Sequence, residues 1–275
     1  MPNTKKIRVN TMAKASRYVA HEPDAQGHVA WQTAEHDIWQ RLVRRQNKAI
    51  PGKACQEYLE GLEHLNLPED RIPQLADIDA VLTKATGWKT APVPALIDFS
   101  EFFRLLASRQ FPVATFIRSE RELDYLQEPD IFHEIFGHCP MLTHQAFADF
   151  TQLYGELGLN ASKEDRVFLA RMYWFTVEFG LLQSGDSRAI YGGGILSSPG
   201  ETDYAFNSEV PERLPFDLVS VLRTPYRIDI MQPVYYCLES VDQLYDIARM
   251  DIMGAVQEAK RLGLFAPRFE QKQAV

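Results

Sequence analysis

Apolar residues recur at helical spacing through most of the 275-residue chain, and strand-like character is confined to a few short stretches. No alternating strand–helix–strand series is present, which argues against a doubly wound nucleotide fold. These observations predict a mainly α protein with a small β component. It should form one compact domain over 26–270, behind a flexible, solvated N-terminal arm over 1–25 that carries Lys5, Lys6, Arg8, Lys14 and Arg17.

The helical pattern is read as follows. A helix around Trp31–Arg45 carries Ile38, Leu42 and Val43. The next carries Cys55, Tyr58, Leu59, Leu62 and Leu65 after the Pro51-Gly52 break, and a third carries Leu75, Ile78, Val81 and Leu82 before Gly87. Phe102, Phe103, Leu105 and Leu106 mark a short helix, and residues 111–117 an extended segment. A helix is expected over about 130–139, and another capped by Thr143 with Phe147, Phe150, Leu153, Tyr154 and Leu157 on its face. A long apolar helix follows over Val167–Leu182, then a glycine-rich loop with short strands over 185–201. Tyr226, Ile228 and Ile230 alternate as a half-buried strand does, and Ser240 is expected to cap a final helix carrying Val241 to Val256.

Composition narrows the class of function. Hydrophobic residues make up 45% and charged residues 24%, as in an ordinary folded protein, and the net charge is −8. An acidic chain without clustered Lys and Arg is a poor nucleic-acid binder. No apolar run reaches the ~18 residues of a membrane span. Three cysteines without paired spacing, Cys55, Cys139 and Cys237, suit a reducing cytoplasm and leave no thiolate zinc site.

The densest chemical signal is Pro129-Asp130-Ile131-Phe132-His133-Glu134-Ile135-Phe136-Gly137-His138-Cys139-Pro140. Zinc proteases place two histidines at i and i+4 on one helical face. Here the spacing is i to i+5, roughly 140° apart on an ideal helix. Both rings reach one ion only if the helix distorts or ends between them, and Gly137 and Pro140 favour that. Otherwise the pair is simply two partly exposed histidines at a helix end. A second signal is Glu178, a carboxylate within the apolar run Met172 to Leu182. A buried carboxylate needs a cation, either an arginine such as Arg171 or a metal. Two histidines and one carboxylate suit Fe(II) with open coordination positions, and the same set also serves hydrolytic zinc. A scaffold protein with a structural metal is a third reading.

These motifs resemble the pterin-dependent aromatic amino acid hydroxylases. The resemblance rests on the 129–138 motif, on Tyr173-Trp174-Phe175-Thr176-Val177-Glu178-Phe179-Gly180, and on Gly185-Asp186-Ser187, Tyr191-Gly192-Gly193-Gly194, Ser197-Ser198 and Gly200-Glu201 in that order. It is strong over about 85–260 and poor over the first eighty residues. It implies the single catalytic domain of that family, in the short bacterial form that hydroxylates L-phenylalanine to L-tyrosine with dioxygen and a tetrahydropterin. Tyrosine or tryptophan remains as the alternative substrate. By resemblance, His133, His138 and Glu178 hold Fe(II); Leu96, Ile97, Phe102, Glu134 and Tyr173 contact the pterin; and Arg118, Trp174, Gly194, Ser197 and Ser198 bind the amino acid. Arg118 suits a substrate carboxylate because guanidinium offers a bidentate fork. Trp174 favours a single-ring substrate over indole. The chain departs from animal relatives at Ala95, Pro112 and Leu126-Gln127. A monomer without substrate-driven allostery is expected, with no nucleic-acid or membrane partner.

Overall fold

The structure is a computed structural model that describes residues 16–270 other than Arg17 and Tyr125. Its first half is helical. Helices α1 (Thr33–Ala49), α2 (Gln56–Leu65) and α3 (Leu75–Ala85) lead into strand β1 (Lys89–Val93), helix α4 (Phe99–Ala107) and strand β2 (Gln110–Ala114). β1 and β2 pair in parallel as a two-stranded sheet joined through α4. A widened turn over His133–His138 runs into α5 (Cys139–Leu142), and α6 (Gln145–Asn160) and α7 (Lys163–Tyr173) follow. A second widened turn, Trp174–Glu178, ends α7.

The second half carries the main sheet. Strands β3 (Leu181–Ser184) and β4 (Ser187–Ile190) form a hairpin. After α8 (Gly193–Leu196) and α9 (Pro199–Asn207) come β5 (Glu212–Pro215), α10 (Leu218–Arg223), β6 (Val234–Leu238), α11 (Gln243–Ala248) and α12 (Ile252–Leu262). The strand order is β4-β3-β6-β5, with β6 parallel to both neighbours. One continuous core runs from Trp39 in α1 through Phe132, Phe175 and Tyr235 to Ala259 in α12. The mainly helical fold with a small sheet is therefore as expected.

Several expectations for individual elements are corrected. The strand lies at Val234–Leu238, whereas Tyr226, Ile228 and Ile230 fall in irregular chain. Every residue of β6 is buried, so its sequence is a continuous apolar run without alternation. The long helix expected to Leu182 stops at Glu178, and β3 begins three residues later. Thr143 does not cap α6. Its hydroxyl donates to Pro140 O at 2.7 Å, and His144 takes the extended cap position. The last helix is broken in two, because Asp251 caps Gly254 N and starts α12 afresh. Of the arm expected over 1–25, residues 1–15 lie outside the described residues. From Ser16 the chain is fastened to the domain. Tyr18 stacks on Phe116 with centroids 4.5 Å apart, and His21 exchanges backbone and hydroxyl bonds with Thr115 at 2.8 and 2.7 Å.

Helix α6 approaches α4 through two glycines on one face. A Cβ at Gly155 would lie 2.3 Å from Ala107 N, and one at Gly158 would lie 2.0 Å from the Phe103 ring. Gly155→Ala should therefore separate the helices and cost about 1–3 kcal/mol, the usual penalty of overpacking. Urea unfolding checks this, with a lowered midpoint and an unchanged slope expected.

Candidate active site

The two histidine rings meet because the helix between them is not an α-helix. Over His133–His138 the backbone bonds run from i to i+5, as in Cys139 N to Glu134 O. Such wide turns are rare and occur mostly as single turns within α-helices. Widening the turn brings residues five apart back onto one face, which the 3.6-residue α period does not. The Trp174–Glu178 turn is built the same way, with Phe179 N donating to Trp174 O at 2.8 Å. Inside it, Thr176 Oγ1 donates back to Met172 O at 2.5 Å. The two turns aim three donor atoms at one point. His133 Nε2 and His138 Nε2 are 3.0 Å apart, and Glu178 Oε2 lies 3.6 Å from the first and 3.3 Å from the second.

This triangle fits a divalent first-row metal. Bonds of about 2.1 Å at right angles put neighbouring donors about 3.0 Å apart. A second carboxyl is close, since donor atoms of His133, His138 and Glu134 lie within 4.8 Å of one another. The two acids are shifted in opposite directions. Burial raises the Glu134 carboxyl well above the usual range, and neighbouring Glu178 and Asp130 raise it further. Burial also works against ionised Glu178, but attraction and a hydrogen bond from His138, with the attraction of His133, hold its carboxyl below the ordinary value. Of the two carboxyls, Glu178 is the more readily ionised and Glu134 the more readily protonated. Burial, opposed by Glu178, pushes the His133 imidazole down to about 4, so the ring is neutral and able to ligate at neutral pH.

Neighbouring groups orient the donors. His133 Nδ1 meets Ser197 Oγ at 2.9 Å, which turns Nε2 toward the other two ligands. His138 Nδ1 is buried without a hydrogen-bond partner among the described residues, and its ring is held by packing. A Cβ at Gly193 would lie 2.4 Å from that ring, and one at Gly194 would lie 2.8 Å from Glu178 Oε2. Gly193 and Gly194 have ordinary backbone angles, so their value is close approach and not turn geometry.

Beside the triad lies a cavity of about 540 Å³. His133 and Glu178 line it, and so do all five residues expected to bind the amino acid: Arg118, Trp174, Gly194, Ser197 and Ser198. Leu126 and Gln127, two of the departures from animal relatives, also form part of its wall. None of the five residues expected at the pterin lines this cavity, although Glu134 adjoins the triad itself. Leu96 and Ile97 sit in the loop before α4, with Leu96 exposed, and Phe102 meets Tyr173 edge-on at 5.5 Å. Tyr173 adjoins the triad closely enough that Glu178 and Glu134, after burial, raise its phenol well above the usual value.

Three residues given no role in the sequence reading shape this cavity. Asp130, fully buried, accepts from Arg118 Nε at 2.8 Å and from Nη2 at 2.9 Å, and its Oδ1 also accepts from His133 N at 3.0 Å. It therefore fixes the cavity's cation and the first histidine of the triad together, and takes two of the five guanidinium N–H groups. Its spacing three residues before His133 is the only sequence signal for this role. Gln232 accepts from Trp174 Nε1 at 3.1 Å and donates to Arg227 O and Ile230 O at 2.9 Å each. The indole it holds is stacked between Phe179 and Tyr226, both with centroids 4.3 Å away. Glu201 accepts from Gln232 N at 3.2 Å and closely from the Tyr235 hydroxyl. No sequence pattern announces Gln232.

The family model for biopterin-dependent aromatic amino acid hydroxylases matches residues 3–253 of the chain. Phenylalanine-4-hydroxylase of Pseudomonas aeruginosa is 59% identical over 261 residues, covering 95% of this chain and 99% of that protein. The apo structure of the cold-active phenylalanine hydroxylase of Colwellia psychrerythraea 34H superposes with a TM-score of 0.89 at 60% identity, covering 91% of this chain and 97% of that one. Chromobacterium violaceum phenylalanine hydroxylase with bound oxidised Fe(III) superposes with a TM-score of 0.84 at 41% identity, covering 90% and 89%.

Two outcomes follow from the buried charges. Asp130→Ala leaves the Arg118 guanidinium buried and unpaired, which should lower stability by about 3–5 kcal/mol in chemical unfolding. Burial raises the Glu201 carboxyl, against the hydrogen bonds from Tyr235 and Gln232. Its protonated form is therefore favoured by folding, so its contribution is full below the unfolded value and is lost as pH rises through the folded one. Glu201→Gln keeps the acceptor oxygen and removes the charge. Its Tm should exceed that of the parent at pH 8, and the gain should shrink toward pH 5.

Proposed function

The chain belongs to the biopterin-dependent aromatic amino acid hydroxylase family, and on that premise we propose that it is a phenylalanine 4-monooxygenase, converting L-phenylalanine to L-tyrosine. One observation carries the reading. A single cavity brings a buried arginine, an aromatic wall and a hydroxyl-bearing loop against a His-His-Glu donor set. His133, His138 and Glu178 would hold the iron, which together with the tetrahydropterin supplies the activation of dioxygen.

The protein's own groups do the rest. Arg118 grips the substrate carboxylate with the N–H groups that Asp130 leaves over. With that end fixed, the substrate ring lies toward Trp174, whose plane is set by Phe179, Tyr226 and Gln232. Holding the ring at one distance and angle from the metal position converts an encounter into an effectively unimolecular reaction. Ser197 keeps the His133 tautomer, and the apolar surroundings of both turns keep bulk water away. Leu96, Ile97, Phe102, Glu134 and Tyr173 form the pterin side of the site in this reading. The three cysteines are free, in keeping with a reducing cytoplasm, and no helix among the described residues is long and apolar enough to cross a membrane. The enzyme works as a monomer in this scheme.

The test is direct. Metal-stripped protein receives Fe(II), a tetrahydropterin, phenylalanine and oxygen, and tyrosine is sought by chromatography. Parallel samples hold Zn(II), lack the pterin, or contain tyrosine or tryptophan. Tyrosine formed only with iron and pterin is expected, and no product from iron-loaded protein would refute the reading. His133→Ala, His138→Ala or Glu178→Ala should abolish tight metal binding and turnover. Arg118→Ala should raise KM, because the lost contact is to a carboxylate that does not react, and should also lower stability by about 3–5 kcal/mol, because it leaves Asp130 buried without its cation.

A further inference from the structure

The turn that brings the histidines together has a support on a helix distant in sequence. Pro140 lies four residues after Phe136. In an α-helix, a proline has no N–H for the carbonyl four residues back, and its ring collides with that carbonyl. Here that carbonyl belongs to Phe136, in the middle of the widened turn. It accepts from the hydroxyl of Tyr58 at 2.7 Å. Tyr58 is fully buried on α2, seventy-eight residues away in sequence. One turn further along α2, Gly61 lets the helix press on the same segment, since a Cβ there would lie 2.1 Å from Pro140 O. Residues three apart share a helix face, so one face of α2 meets a carbonyl of the turn, Phe136 O, and one of α5 just beyond it, Pro140 O.

We propose that Tyr58 is a positioning residue of the metal site: its hydroxyl, donated to Phe136 O, holds the His133–His138 turn in the wide form that puts both rings on one face. Pro140 turns the Phe136 carbonyl out of the α direction, and Tyr58 satisfies it there. Without the hydroxyl, a buried carbonyl loses a donor and the wide form loses its advantage. The two rings then drift toward the roughly 140° separation of an ordinary helix. The inference rests on His133 and His138 being metal ligands.

The experiment uses Co(II) as the probe, titrated into metal-stripped full-length protein. Affinity comes from the titration, and ligand geometry from the d–d absorption bands. His133→Ala tests the ligand reading itself, and unchanged Co(II) affinity there overturns both that reading and this one. With that reading upheld, Tyr58→Phe should weaken Co(II) by about 10–100-fold, the usual cost of losing a group that orients a ligand, and should alter the bands. The control is Thr86→Val, which removes an equally buried hydroxyl from Leu142 O, also at 2.7 Å, in the helix just beyond the turn. It should lower Tm by a similar amount and leave affinity and spectrum unchanged. Pro140→Ala restores an N–H and relieves the collision, so it should keep or raise Tm while weakening Co(II). It carries the test if Tyr58→Phe does not fold. Parental affinity and bands in Tyr58→Phe, or equal weakening in Thr86→Val, would overturn the proposal.

Discussion

The site depends on one backbone constraint, a helix made to turn more slowly than its sequence neighbours. Six residues, His133–His138, adopt bonding from i to i+5, and two rings that an α-helix would turn apart become one face. The arrangement around them follows from that need. Pro140 disfavours the α alternative, α2 supports the displaced carbonyl, and the glycine loop comes close enough to hold the His138 ring by contact alone. Glu178 arrives from a second turn of the same kind, so neither ligand-bearing helix is regular where it meets the centre. Wide turns are costly in isolation, which is why both are buried and packed on several sides.

A second theme is the handling of charge away from water. The Arg118–Asp130 pair is almost wholly buried, and such pairs contribute little net stability after desolvation. Its use is geometric. One carboxylate sets the direction of a guanidinium at the cavity wall and anchors the backbone of His133. The cavity carboxyls are sorted by their surroundings. The Glu178 carboxyl is held down, against burial, by the attraction and hydrogen bond of His138 and the attraction of His133, while burial pushes Glu134 and Glu201 up.

The helices of the first half were legible because each buries one face, so spacing reveals them. β6 was not picked out because it is buried on all sides and alternation vanishes. Tyr226, Ile228 and Ile230 imitate a strand while serving as the stacking partner of Trp174 and as the cavity rim. The residue types of the metal set were legible from two histidines and a lone acid in apolar sequence. The wide turns were not, although the i to i+5 spacing with Gly137 and Pro140 required some distortion. Gln232 left no trace, and Tyr58 was legible only as a position on the apolar face of a helix. Each acts through one hydrogen bond to a partner 58 or 78 residues distant, and no local pattern encodes such a meeting.

The loop over 193–197 touches every member of the donor triad. Gly193 packs on the His138 ring, Gly194 abuts Glu178, and Ser197 is bonded to His133. Its other side is the wall of the cavity. In the proposed reading, substrate selectivity and metal retention are consequently not separate properties. Evolving this loop toward a new ring changes the grip on the ion in the same stroke, so a library built there is best sorted by bound iron before it is sorted by product.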